Sequence, residues 1–211
     1  MKTKNRLYII PIVCLILVFL ISCCVFFFLQ FADWGFSRHV EFEEQLLRLH
    51  TVHRAEKWLG AREGFTDHEE IVRIYNSHEP LAQGYAVTVE DNWCAAFASA
   101  VAIECALTDI VPTECGCQRQ IGLWQNLGRW EENDNYMPLP GDYIYYAWDE
   151  PFTFGDCSGW ADHVGIVVGT AGPFIKVIEG NRKDMVTYRI ILRGNWQIRG
   201  YGLPDYTSKL S

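Results

Sequence analysis

Positive charge is scarce in this sequence: 18 Lys and Arg stand against 26 Asp and Glu over 211 residues, and no Lys/Arg cluster reverses the sign locally. All 26 acidic residues follow position 31 and three of the 18 basic ones precede it, which leaves fifteen basic residues and a net charge of −11 after that point. Such a surface repels phosphate backbones, so the charge argues against nucleic acid as a partner and for simple solubility. Internal repeats and low-complexity segments are lacking too, which argues against solenoids and disordered arrays. With 49% hydrophobic and 21% charged residues, the balance is that of one globular domain with one membrane element.

Charge is missing altogether from Leu7 to Leu29, an apolar run relieved only by Tyr8, Pro11, Ser22 and three cysteines. As a helix the run would reach roughly 34 Å, slightly more than the hydrocarbon core of a bilayer. Residues 1–6, with Lys2, Lys4 and Arg6, form a basic flank expected to stay in the cytoplasm, placing the rest of the chain outside as a single-pass membrane protein. A cleaved signal peptide and a lipoprotein signal compete, since Leu20-Ile21-Ser22-Cys23 has the shape of a lipobox. No A-x-A-like site follows, and Val25 to Leu29 is more apolar than a lipoprotein tether, so an uncleaved anchor at 7–29 is preferred.

Paired C-x2-4-C spacing is absent among Cys105, Cys115, Cys117 and Cys157, which argues against a zinc site. With Cys94 they make five cysteines after the apolar run, an odd number. Outside the cytoplasm that count suggests up to two disulfides and one thiol left for chemistry, with reduced structural cysteines as the alternative.

Residues 30–48 form a lead-in to the domain, and apolar residues recur at helical spacing from Glu43 to Leu59, with Gly60 placed to stop the helix. Thr66-Asp67-His68-Glu69 has the form of a capping box opening a short helix. Asp91 or Asn92 is placed to cap a buried helix through Trp93 to Ala102, and residues 118–127 form a further short helix. Beyond Pro138, Pro140 and Gly141 the signals are those of strands, over 143–146, 163–169, 175–181, 187–192 and 197–201. Helices first and antiparallel strands second predict an α+β domain, spanning 49–206 with a tail at 207–211.

Cys94 falls in the first turn of its predicted helix, where the positive end of the helix dipole favours a thiolate. Taken alone it reads better as a small buried residue of a helix core, and the rest of the chain must overturn that. His163 opens an alternating run, His163 to Gly169, and shares a face with Gly165, which clears space beside the imidazole. If a hairpin turns through Ala171-Gly172-Pro173, then Thr170 pairs with Phe174, Gly165 with Glu179 and His163 with Asn181. Asn181 then lies opposite the ring and Glu179 diagonal to it, and either could hold one ring nitrogen while the other takes the thiol proton. A register shift of one residue would put both on the wrong face.

Four blocks then carry a family resemblance: Asp91 to Phe97 (DNWCAAF), Pro140-Gly141-Asp142, Asp162 to Val167 (DHVGIV) and Ile178-Glu179-Gly180-Asn181. In this order they resemble the motifs of CHAP domains, over about Leu49 to Tyr206. The resemblance implies a papain-like (CHAP/NlpC-like) fold and cleavage of peptidoglycan, with Cys94 as nucleophile, His163 as base, Glu179 as its orienting partner and Asn181 as an additional polar member. Enzymes of that family act mostly as N-acetylmuramoyl-L-alanine amidases or peptidoglycan endopeptidases. A non-catalytic, membrane-anchored wall-binding or assembly module is the alternative. No recognisable wall-binding module follows Tyr206, so targeting is expected to fall to the anchor. Some CHAP domains bind calcium, but Asp142, Asp149, Glu150, Asp156 and Asp162 match no calcium loop and read as a solvated rim, so no cofactor or metal is expected. His50 and His53 lack a third ligand and read as surface residues. Trp93, Trp148 and Trp160 are the candidate substrate-binding residues, the last two because they lie in the loop before His163; core packing is the alternative for each, as for Trp124 and Trp196.

Overall fold

The computed structural model describes residues 6–149 and 157–210, with side chains at all of these except 6–18 and 29–37. Lys2, Lys4, Glu150, Asp156 and Ser211 therefore lie outside the described residues, as do the side chains of Tyr8, Pro11 and Cys14. The chain divides into two compact units, Met1–Glu44 and Gln45–Ser211.

One helix, α1, runs Arg6–Glu56 and takes in the apolar run, the lead-in and most of the helix expected over 43–59. Between Ile12 and Leu59 the sequence holds no proline and a single glycine, Gly35, which weakens a helix by about 1 kcal/mol without ending it. No helix among the described residues is long and apolar enough to cross a membrane. Within the 7–29 run the side chains are described over 19–28, where Phe19, Leu20, Ile21, Val25, Phe26, Phe27 and Phe28 are exposed.

In the second unit, α2 (Thr66–Asn76), α3 (Cys94–Glu104) and α4 (Cys117–Asn126) precede every strand of the sheet, which gives an α+β fold. The strands are β1 (Trp130–Glu131), β2 (Tyr143–Tyr146), β3 (His163–Ala171), β4 (Phe174–Glu179), β5 (Thr187–Leu192) and β6 (Ile198–Gly202). They form one antiparallel sheet in the order β1-β6-β2-β3-β4-β5. Five of the six match the apolar runs in the sequence; the two-residue β1 has no such signal.

From Cys94 to Ala102 every residue of α3 is buried. Its alanines at 95, 96, 98, 100 and 102 let neighbours approach on all sides, and the helix packs against α2 and β3. Tyr143, Tyr145, Val164, Ile166 and Ile178 join the core on this face of the sheet. Ile144, Tyr146, Val167, Ile175, Val177 and Ile198 form a second apolar cluster on the other, as the period of two requires.

The β3–β4 hairpin turns through two residues, Gly172-Pro173, so that Ala171 pairs with Phe174 and Thr170 with Ile175. That is one residue away from the expected pairing. A bulge between Val167 and Gly169 then shifts the register back, and Ile166 pairs with Ile178. The expected parity near His163 is therefore reached by a different route, a tight turn plus one extra residue in β3.

Candidate active site

Cys94 is the first residue of α3, and Trp93, the residue before it, gives the helix no side-chain cap. The expected caps are engaged elsewhere. Asp91 accepts from the Thr88 N–H (2.7 Å), the Thr88 hydroxyl (2.8 Å) and the Tyr85 hydroxyl (2.8 Å), closing the loop that leads into the helix. Asn92 accepts from the Asn181 amide at 3.2 Å. The first N–H groups of α3, Cys94's own included, are thus left without a side-chain acceptor. The capping box also differs: α2 begins at Thr66 itself, after an uncapped Phe65.

His163 is the first residue of β3, and its Nε2 lies 3.1 Å from Glu179 Oε2 at the end of β4. The other carboxylate oxygen accepts from Arg189 Nε at 2.6 Å, and Arg182 lies 3.5 Å from Oε2. Glu179 is fully buried. Burial works against its charge, but the bonds from His163 and Arg189 outweigh burial and hold the carboxyl below its ordinary range. Gly165 serves Glu179 more than the imidazole: a Cβ at 165 would lie 2.5 Å from Val177 Cγ1 and 2.8 Å from Glu179 Cγ.

With Nε2 engaged by Glu179, Nδ1 is the ring nitrogen left for the sulfur. Cys94 and His163 interact, and the pair is polarised. Burial alone would lower the imidazole, yet its bonds with Cys94 and Glu179 raise it to about 9. The Cys94 thiol is held well below its ordinary value, first by a hydrogen bond from Cys117, against burial, and then by His163 and the Val164 N–H. Both directions describe a thiolate beside an imidazolium, titrating as one coupled unit. The other thiols move the opposite way: burial takes Cys105 up to about 11 and also raises Cys115.

Cys117 is the neighbour that the sequence did not reveal. It opens α4, and its sulfur lies 3.6 Å from that of Cys94. The Asp162 carbonyl faces the Cys94 sulfur at 4.0 Å. Cys94, Cys105, Cys115 and Cys117 are all free thiols, so the disulfides expected for Cys105, Cys115 and Cys117 are not formed.

Asn181 does not face the imidazole. Strand β4 ends at Glu179, Asn181 adopts φ of 55°, and its amide goes to Asn92. Trp93 is a core residue, fully buried, with its ring 4.7 Å from that of His68 and its N–H on Glu63 at 3.1 Å. Trp148 does flank the site: it is half-buried, its ring stacks on Tyr146 at 4.5 Å and lies 6.5 Å from His163, and the Arg189 guanidinium covers it at 4.2 Å. Trp160 is 76% exposed three residues before His163. Trp124 is buried in the core and donates to the Tyr145 hydroxyl at 2.7 Å. His50 and His53 are exposed.

Among the acidic residues considered for calcium, Asp142 is buried and held by Arg48 at 2.8 Å and the Tyr136 hydroxyl at 2.7 Å. Asp162 accepts from the N–H groups of Trp148 (2.9 Å) and Asp149 (3.4 Å), bracing the loop beside His163. No group of three His, Cys, Asp or Glu side chains placed to hold a metal ion occurs among the described residues.

No protein-family model matches this chain, and no curated protein matches it. Among solved structures, the crystal structure of Ly7917 is similar at a TM-score of 0.33 and 19% sequence identity. The match spans 53% of this chain and 53% of that one, a likeness too slight to carry an argument about fold or function.

Proposed function

We propose that the chain is a cysteine amidohydrolase or peptidase that cleaves an amide bond of the peptidoglycan peptide, with a papain-like, CHAP-type catalytic domain. The observation that carries this reading is the Cys94–His163–Glu179 set: a thiol held low at a helix N-terminus, an imidazole raised to about 9, and a buried carboxylate 3.1 Å from that imidazole. Three groups with matched roles favour this reading over that of a small core cysteine. The Cys94 thiolate attacks the amide carbonyl, His163 delivers its proton to the leaving amine, and water releases the acyl-enzyme. Uncapped N–H groups at the start of α3, that of Cys94 first, are the donors available to the oxyanion. Trp148, against the imidazole, and the exposed Trp160 supply aromatic surface for a glycan strand.

The substrate class comes from the four ordered motif blocks, and the apolar run at 7–29, with its exposed phenylalanines, supports a membrane anchor that holds the domain near the wall. Purified peptidoglycan incubated with the full-length protein in detergent micelles tests the reading. Soluble muropeptide fragments are expected from the wild type, with release by Cys94→Ala lower by about a thousandfold or more. Equal release by the two proteins would sink the mechanism. Mass spectrometry of the fragments decides between an N-acetylmuramoyl-L-alanine amidase and an endopeptidase.

A further inference from the structure

Cys117 touches neither the imidazole's carboxylate nor any group that moves a proton in the acyl transfer, yet its sulfur lies 3.6 Å from the nucleophile's and hydrogen-bonds to it. Both residues are buried, and each opens a helix. The surroundings hold the two together. Ser99 of α3 donates to the Glu114 carbonyl (2.9 Å) and accepts from the Glu114 N–H (3.1 Å), fastening the segment before α4 to the helix that begins with Cys94. The Glu114 carboxylate accepts from the N–H groups of Cys115 (2.8 Å) and Gly116 (3.1 Å), shaping the last turn before Cys117. On the other side Gln118 accepts from the Ala161 N–H at 2.9 Å, tying the start of α4 to the segment that leads into His163. The two sulfurs need to approach by about 1.5 Å to reach bonding distance.

We propose that Cys94 and Cys117 form a reversible oxidation site, in which a hydroperoxide oxidises Cys94 to a sulfenic acid and Cys117 resolves it to a disulfide that switches the nucleophile off. In the first step the Cys94 thiolate attacks one peroxide oxygen, the O–O bond breaks, and the leaving oxygen takes a proton from His163. In the second, the Cys117 sulfur attacks the Cys94 sulfur, the S–O bond breaks, and the proton lost by Cys117 passes to the departing hydroxyl, which leaves as water. Two thiols give up two electrons, and hydrogen peroxide is reduced to two waters. The order of events follows from charge. Cys117 is pushed well above its ordinary value by its bond to Cys94 and by burial, so it remains a thiol while Cys94 is anionic. Oxidation of Cys94 removes that negative charge and frees Cys117 to react.

The consequence as a switch rests on the hydrolase reading; the disulfide itself does not. Full-length protein in micelles, reduced and then exposed to stoichiometric hydrogen peroxide, is alkylated, digested and mapped by mass spectrometry. The expected product is a linked peptide pair joining Cys94 to Cys117, cleaved by dithiothreitol, with fragment release falling about tenfold or more and returning on reduction. In Cys117→Ser, and in Cys117→Ala as a second variant, Cys94 is expected to continue to sulfinic acid, which dithiothreitol does not restore. A wild-type Cys94 that reaches sulfinic acid while Cys117 is still alkylated, that links to Cys115 instead, or that stays a thiol would overturn the proposal. If no preparation releases fragments, the hydrolase reading fails, and the linked peptide still decides the oxidation site by itself.

Discussion

Glu179 is where the electrostatics of the site converge. Its carboxylate faces His163 on one oxygen and Arg189 on the other, with Arg182 close by. Glu179→Gln would leave two guanidinium groups near the imidazole with no anion between them. On the proposed hydrolase reading the active form pairs a thiolate with an imidazolium, so activity is expected to rise with pH as the Cys94 thiol ionises and to fall as His163 loses its proton near pH 9. In pH–rate profiles of fragment release, Glu179→Gln is expected to lower kcat/KM by about a hundredfold and to move the alkaline limb to lower pH. Asn181→Ala, whose amide reaches Asn92 and not the ring, should leave that limb in place. An unmoved limb in Glu179→Gln would show that the carboxylate does not set the charge of His163.

At the scale of elements, the site depends on how β3 and β4 meet. Without the bulge between Val167 and Gly169, the turn at Gly172-Pro173 would carry its register to the end of the hairpin and send Glu179 to the opposite face. Gly165 sits where the two strands press closest: a Cβ there meets Val177 at 2.5 Å, the Glu179 stem at 2.8 Å and the Ile178 carbonyl at 3.0 Å. One of those contacts is backbone in a paired strand and cannot retreat cheaply. Gly165→Ala is therefore expected to cost about 1–3 kcal/mol of stability in urea unfolding and to reduce activity by displacing Glu179. A variant as stable and active as the wild type would show that the strands have slack at this point.

For the compact unit as a whole, the buried pair of Arg48 and Asp142 joins the end of α1 to the start of β2. Asp142 is fully buried, and Arg48 also reaches the Pro140 carbonyl (3.2 Å) and lies over the Tyr206 ring (4.6 Å). The Pro140-Gly141-Asp142 block therefore acts through structure, fixing the strand that neighbours β3. Arg48→Ala strands a buried carboxylate and is expected to cost about 3–5 kcal/mol. Thermal unfolding checks this, and Arg48→Ala combined with Asp142→Asn should recover part of the loss; no recovery would mean that Arg48 stabilises by packing on Tyr206 and not by charge.

The sequence by itself determined most of the elements. Apolar runs punctuated by Gly, Pro, Asn and Asp placed five strands within about two residues of their observed limits, and the dense alanine run of α3 marked a helix buried on all sides. Period-two alternation left Glu179 only two directions, and the bulge between Val167 and Gly169 selected the imidazole's face. What depends on approach in space was decided by the tertiary structure alone. That Cys117 meets Cys94 follows from two helix starts, 23 residues apart, being fastened by Ser99, Glu114 and Gln118. Trp93 lies inward because its indole N–H finds Glu63 and its ring finds His68, partners 30 and 25 residues away. Asn181 leaves the ring because β4 ends two residues earlier, and β6 inserts between β1 and β2 across the whole domain. Local pattern constrains what a segment becomes and which way it faces; which distant group it meets is fixed only when the core closes.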